Sequence, residues 1–184
     1  MLTSSRASAH RRDVAELVRL AQNDLRLILE PHTEAEIIRD VLMAALPRLV
    51  QVYGAAAAAL AADWYDDLRA ESAVRGRFRA TTAEPADTDR TDTLARWAVS
   101  PLFAAEPDRP AMFTNVSGGL QRIIADADRF TITTSSIEDP RAHGWYRITG
   151  GACSFCQMLA GSIYRTSPEF KGHNHCGCIA APAF

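Results

Sequence analysis

The sequence predicts a mainly α protein, in which a helical body with long helices is followed by a small C-terminal α+β module. Two observations predict this. Apolar residues recur at helical spacing along most of the chain before Pro140. After Pro140, short segments rich in aromatic and branched residues are separated by glycines, and all four cysteines lie between Cys153 and Cys178. We therefore divide the chain into a helical body, 1–139, and a C-terminal module, 140–184.

The first helices of the body are marked by breaks in the apolar pattern. Apolar residues at helical spacing predict a first helix from Asp13 to Glu30. Pro31 ends it, because proline disfavours a helical conformation in the residue before it. Thr33 stands three residues before Glu36, which is the spacing of a capping box and predicts the start of the next helix.

The second helical stretch is unusually long. Its apolar stripe continues through an alanine-rich run as far as Glu71, which predicts one long helix or two in tandem. Pro47 lies inside the stripe and predicts a kink, because proline cannot donate a backbone hydrogen bond.

A loop and two further helices complete the predicted body. Residues 75–89 lack apolar periodicity, so we expect a loop there. Thr91 or Asp92 is expected to cap the helix that carries Trp97. A last helix is expected over 112–137, weakened by two adjacent glycines.

Two short strands are predicted in the C-terminal module, at 145–149 and 163–166, because both segments are rich in aromatic and β-branched residues. A module of about 40 residues is of the size that often needs a metal or disulfides for stability.

Composition limits the classes of function. The 184 residues carry 20 Lys and Arg against 22 Asp and Glu, a net charge of −2, so no overall attraction to nucleic acid or membrane is expected. The N-terminal sequence lacks the apolar region of a secretory signal. The longest apolar run, 54–62, is too short to cross a bilayer. We expect a cytosolic or particle-bound protein.

The cysteines and histidines near the C-terminus have the spacing of a zinc knuckle. Cys153 and Cys156 can bind one tetrahedral zinc ion from the same side. The segment 173–178 supplies the other two ligands. It offers two registers of equal spacing, His173 with Cys176 or His175 with Cys178. The sequence predicts structural zinc held by Cys153, Cys156, His173 and Cys176, with His175 and Cys178 as alternative ligands.

Two disulfides are the alternative to zinc, since four cysteines allow three connectivities. The missing secretory signal and the histidines interleaved with the second cysteine pair favour a metal.

A catalytic role has little support in the sequence. Six candidate donors compete for four positions, so we expect a closed site, whereas catalytic zinc keeps an open position. Motifs typical of metalloproteases, α/β-hydrolases, P-loop proteins and dinucleotide-binding proteins are absent from the sequence. Ser135, Ser136 and His143, with Asp139 to orient the base, are one conceivable nucleophile set, but helix caps and surface residues are the more ordinary interpretation. No catalytic residue is predicted.

The C-terminal segment combines several motifs in a fixed order: C-x2-C, a Leu-Ala-Gly step, a strand ending in tyrosine, and H-x2-C-x-C before a proline. These are Cys153 and Cys156, Leu159-Ala160-Gly161, Ile163-Tyr164, His173, Cys176, Cys178 and Pro182. In this combination the segment resembles the end of the MuF-like minor head proteins of tailed bacteriophages, especially those that infect actinobacteria. Stretches at 63–69, 77–79, 94–98 and 118–122 also resemble actinophage members. The additional His175 departs from the family pattern.

The resemblance implies a minor virion component that is made in the host cytoplasm and lies inside the head, near the portal. It implies a role in head assembly or DNA delivery, with portal and major capsid or scaffold proteins as partners and packaged DNA as a further candidate. Neither a membrane nor a small-molecule substrate is expected, and we expect no enzyme activity.

Two alternatives stay open. Similar actinophage proteins are commonly labelled capsid maturation proteases, although no residues here are predicted to carry that activity. A zinc-knuckle nucleic-acid-binding protein is the other alternative, but only Arg165 and Lys171 lie close to the cysteines in sequence.

Overall fold

A computed structural model of the chain describes residues 4–151 and 153–184. Within these residues it confirms the prediction of a mainly α protein with a small region of strands near the C-terminus. The elements are α1 (Ser4–Leu29), α2 (Ala35–Leu49), α3 (Ala55–Glu71), α4 (Thr88–Ala98), α5 (Arg109–Glu138), β1 (Trp145–Ile148), α6 (Ser154–Met158), β2 (Ile163–Tyr164) and β3 (Ile179–Pro182). A π-helical segment, Val50–Gly54, joins α2 to α3, and a 3₁₀ turn, Ser100–Phe103, follows α4.

Helix α1 begins earlier than its predicted start at Asp13. Ala7 and His10, which precede that position, are buried, so the inward face of the helix extends further towards the N-terminus. The sequence analysis missed this N-terminal part of the helix, because a histidine and small residues do not form an apolar stripe.

Helix α2 begins without the predicted cap. Its N-cap residue is Glu34, whose side chain makes no capping hydrogen bond, so the capping box predicted for Thr33 is wrong. The N–H of Ile38 donates to the carbonyl oxygen of Glu34 at 2.9 Å, which starts the helix one residue later than the capping box requires.

The segments α2, Val50–Gly54 and α3 form one continuous helix, Ala35–Glu71, as the long apolar stripe predicted. Its irregular π turn begins three residues after Pro47, where a backbone donor is missing. Among the described residues this is the one helix long and apolar enough to cross a membrane, a test that core helices of soluble proteins also pass. One face is covered by the rest of the body, since Ile38 and Leu42 are fully buried.

Aspartates cap the two helices that follow. The carboxylate of Asp87 accepts from the N–H of Arg90 at 2.9 Å, so the predicted caps of α4, Thr91 and Asp92, are wrong. Thr91 lies inside the helix, and its hydroxyl donates to the carbonyl oxygen of Thr88.

Helix α5 is the central element of the fold. Asp108 caps it by accepting from the N–H of Ala111 at 2.8 Å. The glycines at 118 and 119 do not interrupt the helix, and both are buried. Helix α5 contacts α1, α3, α4 and the C-terminal strands, which explains why its apolar residues are not confined to one stripe.

The C-terminal strands form an antiparallel sheet in the order β2-β1-β3. Strands β1 and β2 lie where the sequence predicted them, although β2 is shorter than predicted. Strand β3 pairs along β1, from Trp145 opposite Pro182 to Ile148 opposite Ile179. Neither β3 nor the short helix α6 was predicted, because two alanines and a proline in β3 are poor strand formers. Burial of all four residues of β3 stabilises the strand instead.

Within residues 4–151 and 153–184, the hydrophobic core consists of two clusters. The first belongs to the helical body, and its buried members lie between Val18 and Ile124. The second places residues of α3 and α5 against the C-terminal segment and includes Trp64, Tyr65, Ile132, Trp145, Cys156, Phe170, Cys176 and Cys178. Three of the four cysteines therefore help to pack residues 140–184 against residues 1–139.

A buried ion pair fixes the turn between body and C-terminal segment. Asp139, which follows α5, accepts from Nε of Arg69 at 2.7 Å and from the hydroxyl of Tyr65 at 3.3 Å. Burial, together with the charge of Asp139, raises the pKa of Tyr65 far above its usual value. Arg69 also donates to the carbonyl oxygen of Gly76 at 2.9 Å, so the loop after α3 is held at the same point.

Candidate metal centre

The first two candidate ligands lie at the start of α6. Cys153 is the N-cap residue of this helix, and Cys156 lies in its first turn. The N–H of Gln157 donates to the carbonyl oxygen of Cys153 at 3.0 Å and closes the turn. Cys156 is 1% exposed, whereas Cys153 is half-buried.

His173 directs one ring nitrogen at these thiols. Its Nδ1 donates to the carbonyl oxygen of Asn174 at 2.8 Å, which leaves the lone pair on Nε2. Nε2 lies 3.2 Å from Sγ of Cys153 and 3.6 Å from Sγ of Cys156. The hydrogen bond to Asn174, together with the nearby thiols, raises the pKa of His173.

The remaining thiols approach from the turn that precedes β3. The N–H of Cys176 donates to the carbonyl oxygen of His173 at 3.1 Å, and Sγ of Cys176 lies 3.8 Å from Sγ of Cys156. The ligand atoms of Cys156, Cys176 and Cys178 lie within 4.8 Å of one another, and so do those of Cys153, Cys156 and His173. The structure thus brings together five of the six candidate donors, with Cys156 common to both groups.

His175 is the candidate donor that lies outside both groups. Its φ of 61° is in the left-handed region, its N–H donates to Oε1 of Gln121 at 2.7 Å, and its ring lies beside Gly118. Of the two registers that the sequence left open, the members of the first lie in different groups, His173 with Cys153 and Cys156, and Cys176 with Cys156 and Cys178. Only Cys178 of the other register is near the remaining donors.

Three separations among these donors fit tetrahedral coordination of zinc. Zn–S bonds of about 2.3 Å and Zn–N bonds of about 2.0 Å imply S–S separations of about 3.8 Å and S–N separations of about 3.5 Å. The separation between Cys156 and Cys176 is 3.8 Å, and Nε2 of His173 lies 3.2 and 3.6 Å from two sulfurs. All four cysteines are free thiols, and three thiolates with one imidazole are a donor set that suits zinc.

Cys178 lies beside this set as a hydrogen-bonding partner. The hydrogen bond from Cys178 lowers the pKa of Cys176 to about 4, although burial acts in the opposite direction. The same contact raises the pKa of Cys178 far above its usual value. The N–H of Gly150 donates to Sγ of Cys178 at 3.4 Å. The hydrogen bond between the two cysteines therefore favours a thiolate within this pair, and the thiolate is the form of cysteine that binds metal ions.

Arg129 of α5 supports the turn that carries both cysteines. Its side chain is fully buried and donates to the carbonyl oxygens of Cys176 at 2.7 Å and Cys178 at 3.0 Å. It also donates to Asp126 at 3.0 Å. The sequence analysis missed Arg129. The feature that could have indicated its role is the presence of two acidic residues and an arginine within an otherwise apolar helix face.

Arg147 of β1 is the second buried arginine that the sequence analysis missed. Its Nη1 lies 3.7 Å from Sγ of Cys156, and its Nη2 donates to the carbonyl oxygen of Lys171 at 2.8 Å. The Phe170 ring lies 3.7 Å from Cζ of Arg147 and 4.8 Å from Cζ of Arg129. Two positive charges near the cluster favour thiolates over thiols.

Comparison with known proteins places the chain in a family. The family described as VG15 protein matches residues 1–184, which is the whole chain. The chain belongs to the VG15 family. It is therefore a phage protein. No curated protein and no solved structure matches the chain.

In this VG15 protein, two of the residues considered as a nucleophile set, Ser136 and Asp139, are hydrogen-bonded elsewhere, and the hydroxyl of Ser135 is buried without a partner among the described residues. Ser136 donates to a carbonyl oxygen one turn earlier in α5, and Ser135 is fully buried. Asp139 belongs to the buried ion pair that fixes the turn after α5. Within the described residues, no hydrogen bond joins the ring of His143 to either serine.

Proposed function

We propose that this phage protein is a MuF-like minor head protein with a structural rather than a catalytic role. The observation that carries the proposal is the cluster of five Cys and His donors packed against α3 and α5. The spacing of these donors in the sequence resembles that of the MuF-like proteins. The expected partners are portal and major capsid or scaffold proteins, inside the head near the portal.

In this proposal, Cys153, Cys156, His173 and Cys176 bind one zinc ion. Four protein ligands complete a tetrahedral shell and leave no open position for water or a substrate. The zinc ion then acts by joining α6 to the turn before β3, two segments that are both too short to be stable alone. Cys178 remains a hydrogen-bonding partner of Cys176.

Zinc content tests the metal part of the proposal. Protein purified under reducing conditions without chelator should contain about one zinc ion per chain. Cys153→Ser and Cys176→Ser each remove a ligand and should lose most of the zinc. Cys178→Ser is the matched control and should retain it. A metal-free wild-type protein would exclude the zinc site, and zinc loss in Cys178→Ser but not in Cys176→Ser would exchange the two roles.

Incorporation into particles tests the head role. Phage carrying Cys153→Ser should contain less of the protein in its heads, because loss of a zinc ligand unfolds the C-terminal segment. Phage carrying Ser135→Ala and His143→Ala should have nearly unchanged capsid processing and particle yield. Particles can be compared by gel electrophoresis and infectivity. Accumulation of uncleaved capsid protein in the serine and histidine variants, with normal behaviour of Cys153→Ser, would establish the capsid maturation protease instead.

A further inference from the structure

A groove of about 630 Å³ opens between α4, α5 and the loop 169–174. This volume lies within the range of ligand pockets, about 300–1,000 Å³. The residues contributed by each helix recur every three or four positions, so they lie on one face of that helix. We call this feature the α4–α5 groove, and its helical walls include Arg90, Leu94, Trp97, Arg122, Asp126 and Phe130.

Positive charge is in excess in the α4–α5 groove. Asp126 is 5% exposed and is faced by three guanidinium groups, those of Arg129 at 3.0 Å, Arg122 at 3.9 Å and Arg90. One carboxylate cannot neutralise three cations. The side chains of Arg90 and Arg122 are 38% and 46% exposed, and each guanidinium has five N–H donors, so most of these donors are available to an incoming anion.

The loop wall of the groove does not remove this excess. It adds one cation, Lys171, and one carboxylate, Glu169, both exposed and without an ion pair among the described residues. The groove therefore presents a net positive charge on a chain whose net charge is −2.

A large apolar surface borders these charges. Trp97 is 49% exposed, whereas the other two tryptophans, Trp64 and Trp145, are 7% and 1% exposed. An exposed tryptophan beside a pocket is typical of a residue that anchors a binding partner. Phe130 on the facing wall is half-buried and extends the apolar surface.

We propose that the α4–α5 groove binds an acidic peptide segment, with carboxylates on Arg90 and Arg122 and a large apolar side chain against Trp97. Guanidinium groups bind carboxylates with two parallel hydrogen bonds, which favours this class of ligand. A nucleic acid fits less well, because its backbone needs cations along its length. The inference rests on the proposed function in one respect, namely that the acidic peptide segment belongs to another head protein.

Binding of the peptide acetyl-Glu-Asp-Leu-Phe-Glu-Asp-amide to the full-length protein tests the inference. Calorimetry should detect binding, and the fluorescence of Trp97 should shift to the blue as the ring is covered. Arg122→Gln should weaken binding about tenfold, the effect of losing one charge-assisted interaction. Arg96→Gln is the matched control, because Arg96 lies on α4 outside the groove and its side chain is 66% exposed.

Any of three outcomes would overturn the inference. The first is that the acidic peptide produces neither heat nor a spectral change. The others are that a peptide with Gln and Asn in place of Glu and Asp binds equally well, or that Arg122→Gln binds the acidic peptide as tightly as the wild type does. Binding of single-stranded oligothymidylate in preference to the peptide would replace it with a nucleic-acid site. Because the test uses purified protein and a synthetic peptide, its result is independent of zinc content and of incorporation into particles.

Discussion

At the residue scale, close contact between two glycines shapes the turn that carries Cys176 and Cys178. A Cβ atom on Gly150 would lie 2.1 Å from the carbonyl oxygen of Gly177 and 2.3 Å from its carbonyl carbon. Both atoms belong to the backbone, so no side chain can move to make room. The N–H of Gly150 also donates to Sγ of Cys178, which joins the end of β1 to the candidate metal centre.

Gly150→Ala should therefore weaken zinc binding. We expect a loss of about 10–100-fold in affinity, as for other groups that position metal ligands, and a lower free energy of unfolding by about 1–3 kcal/mol. Gly151→Ala is the matched control, since a Cβ atom there meets no atom within 4 Å. Competition with a chromophoric chelator measures the affinity. Equal affinities for the two variants would show that the glycine contact does not position the turn.

The sequence predicted which cysteine and histidine donors lie near one another better than it predicted their arrangement. Cys153 and Cys156 could be paired because their spacing is local. The choice between His173 and His175 could not be made, because it depends on a left-handed residue within the turn and on a hydrogen bond to Gln121 of α5. The contribution of Arg129 depends on contacts across 47 and 49 residues, which no local spacing reveals.

At the scale of elements, Arg129 links α5 to the C-terminal segment. Arg129→Met would remove hydrogen bonds to the carbonyl oxygens of Cys176 and Cys178, of which the first keeps its bond from Gln121, and would remove a cation from Asp126. We expect a loss of about 3–5 kcal/mol in the free energy of unfolding, together with weaker zinc binding. Arg122→Met, on the same helix but 46% exposed, should cost less than about 1 kcal/mol. Denaturant unfolding of both variants measures this, and similar losses would contradict a special role for Arg129.

A second element contact joins α4 and α5. A Cβ atom on Gly119 would lie 2.2 Å from Cδ1 and 2.9 Å from Cδ2 of Leu94, which is part of the first core. Gly119→Ala should destabilise the protein by about 1–3 kcal/mol, because the whole end of the leucine must move. Gly54→Ala meets its nearest atoms at 3.9 Å and should be neutral or stabilising by up to about 1 kcal/mol. Thermal unfolding compares them, and equal melting temperatures would refute the expected clash.

The elements themselves were predictable to the extent that apolar periodicity determines them. The continuous helix Ala35–Glu71 follows from its stripe, and the loop after it follows from the lack of one. Helix caps were wrong because Asp, Glu and Thr are frequent near each helix start, and the geometry selects among them. Strand β3 was missed because its stability comes from burial between β1 and α5 rather than from its residue types.

At the scale of the whole molecule, the two hydrophobic clusters determine how the loss of zinc would spread. The first cluster contains no described residue after Ile124, so it loses none of its described members when the C-terminal segment unfolds. The second depends on that segment, because Trp64 and Tyr65 of α3 pack with Trp145 and Cys176 in one cluster. The division of the chain into 1–139 and 140–184, made from the sequence, could not reveal this dependence, since the contacts join distant parts of the chain.

Chelation of zinc should therefore preserve most of the helical circular dichroism while loosening residues 140–184 and the part of α3 that they cover. Hydrogen exchange measures this directly. Amides after Pro140 and around Trp64 should exchange faster, whereas amides of α2 near Leu42, which belongs to the first cluster, should remain protected. Protein given chelator already saturated with zinc is the control. Loss of protection throughout the chain would show that both clusters unfold together, and unchanged exchange around Trp64 would show that the C-terminal segment does not stabilise α3.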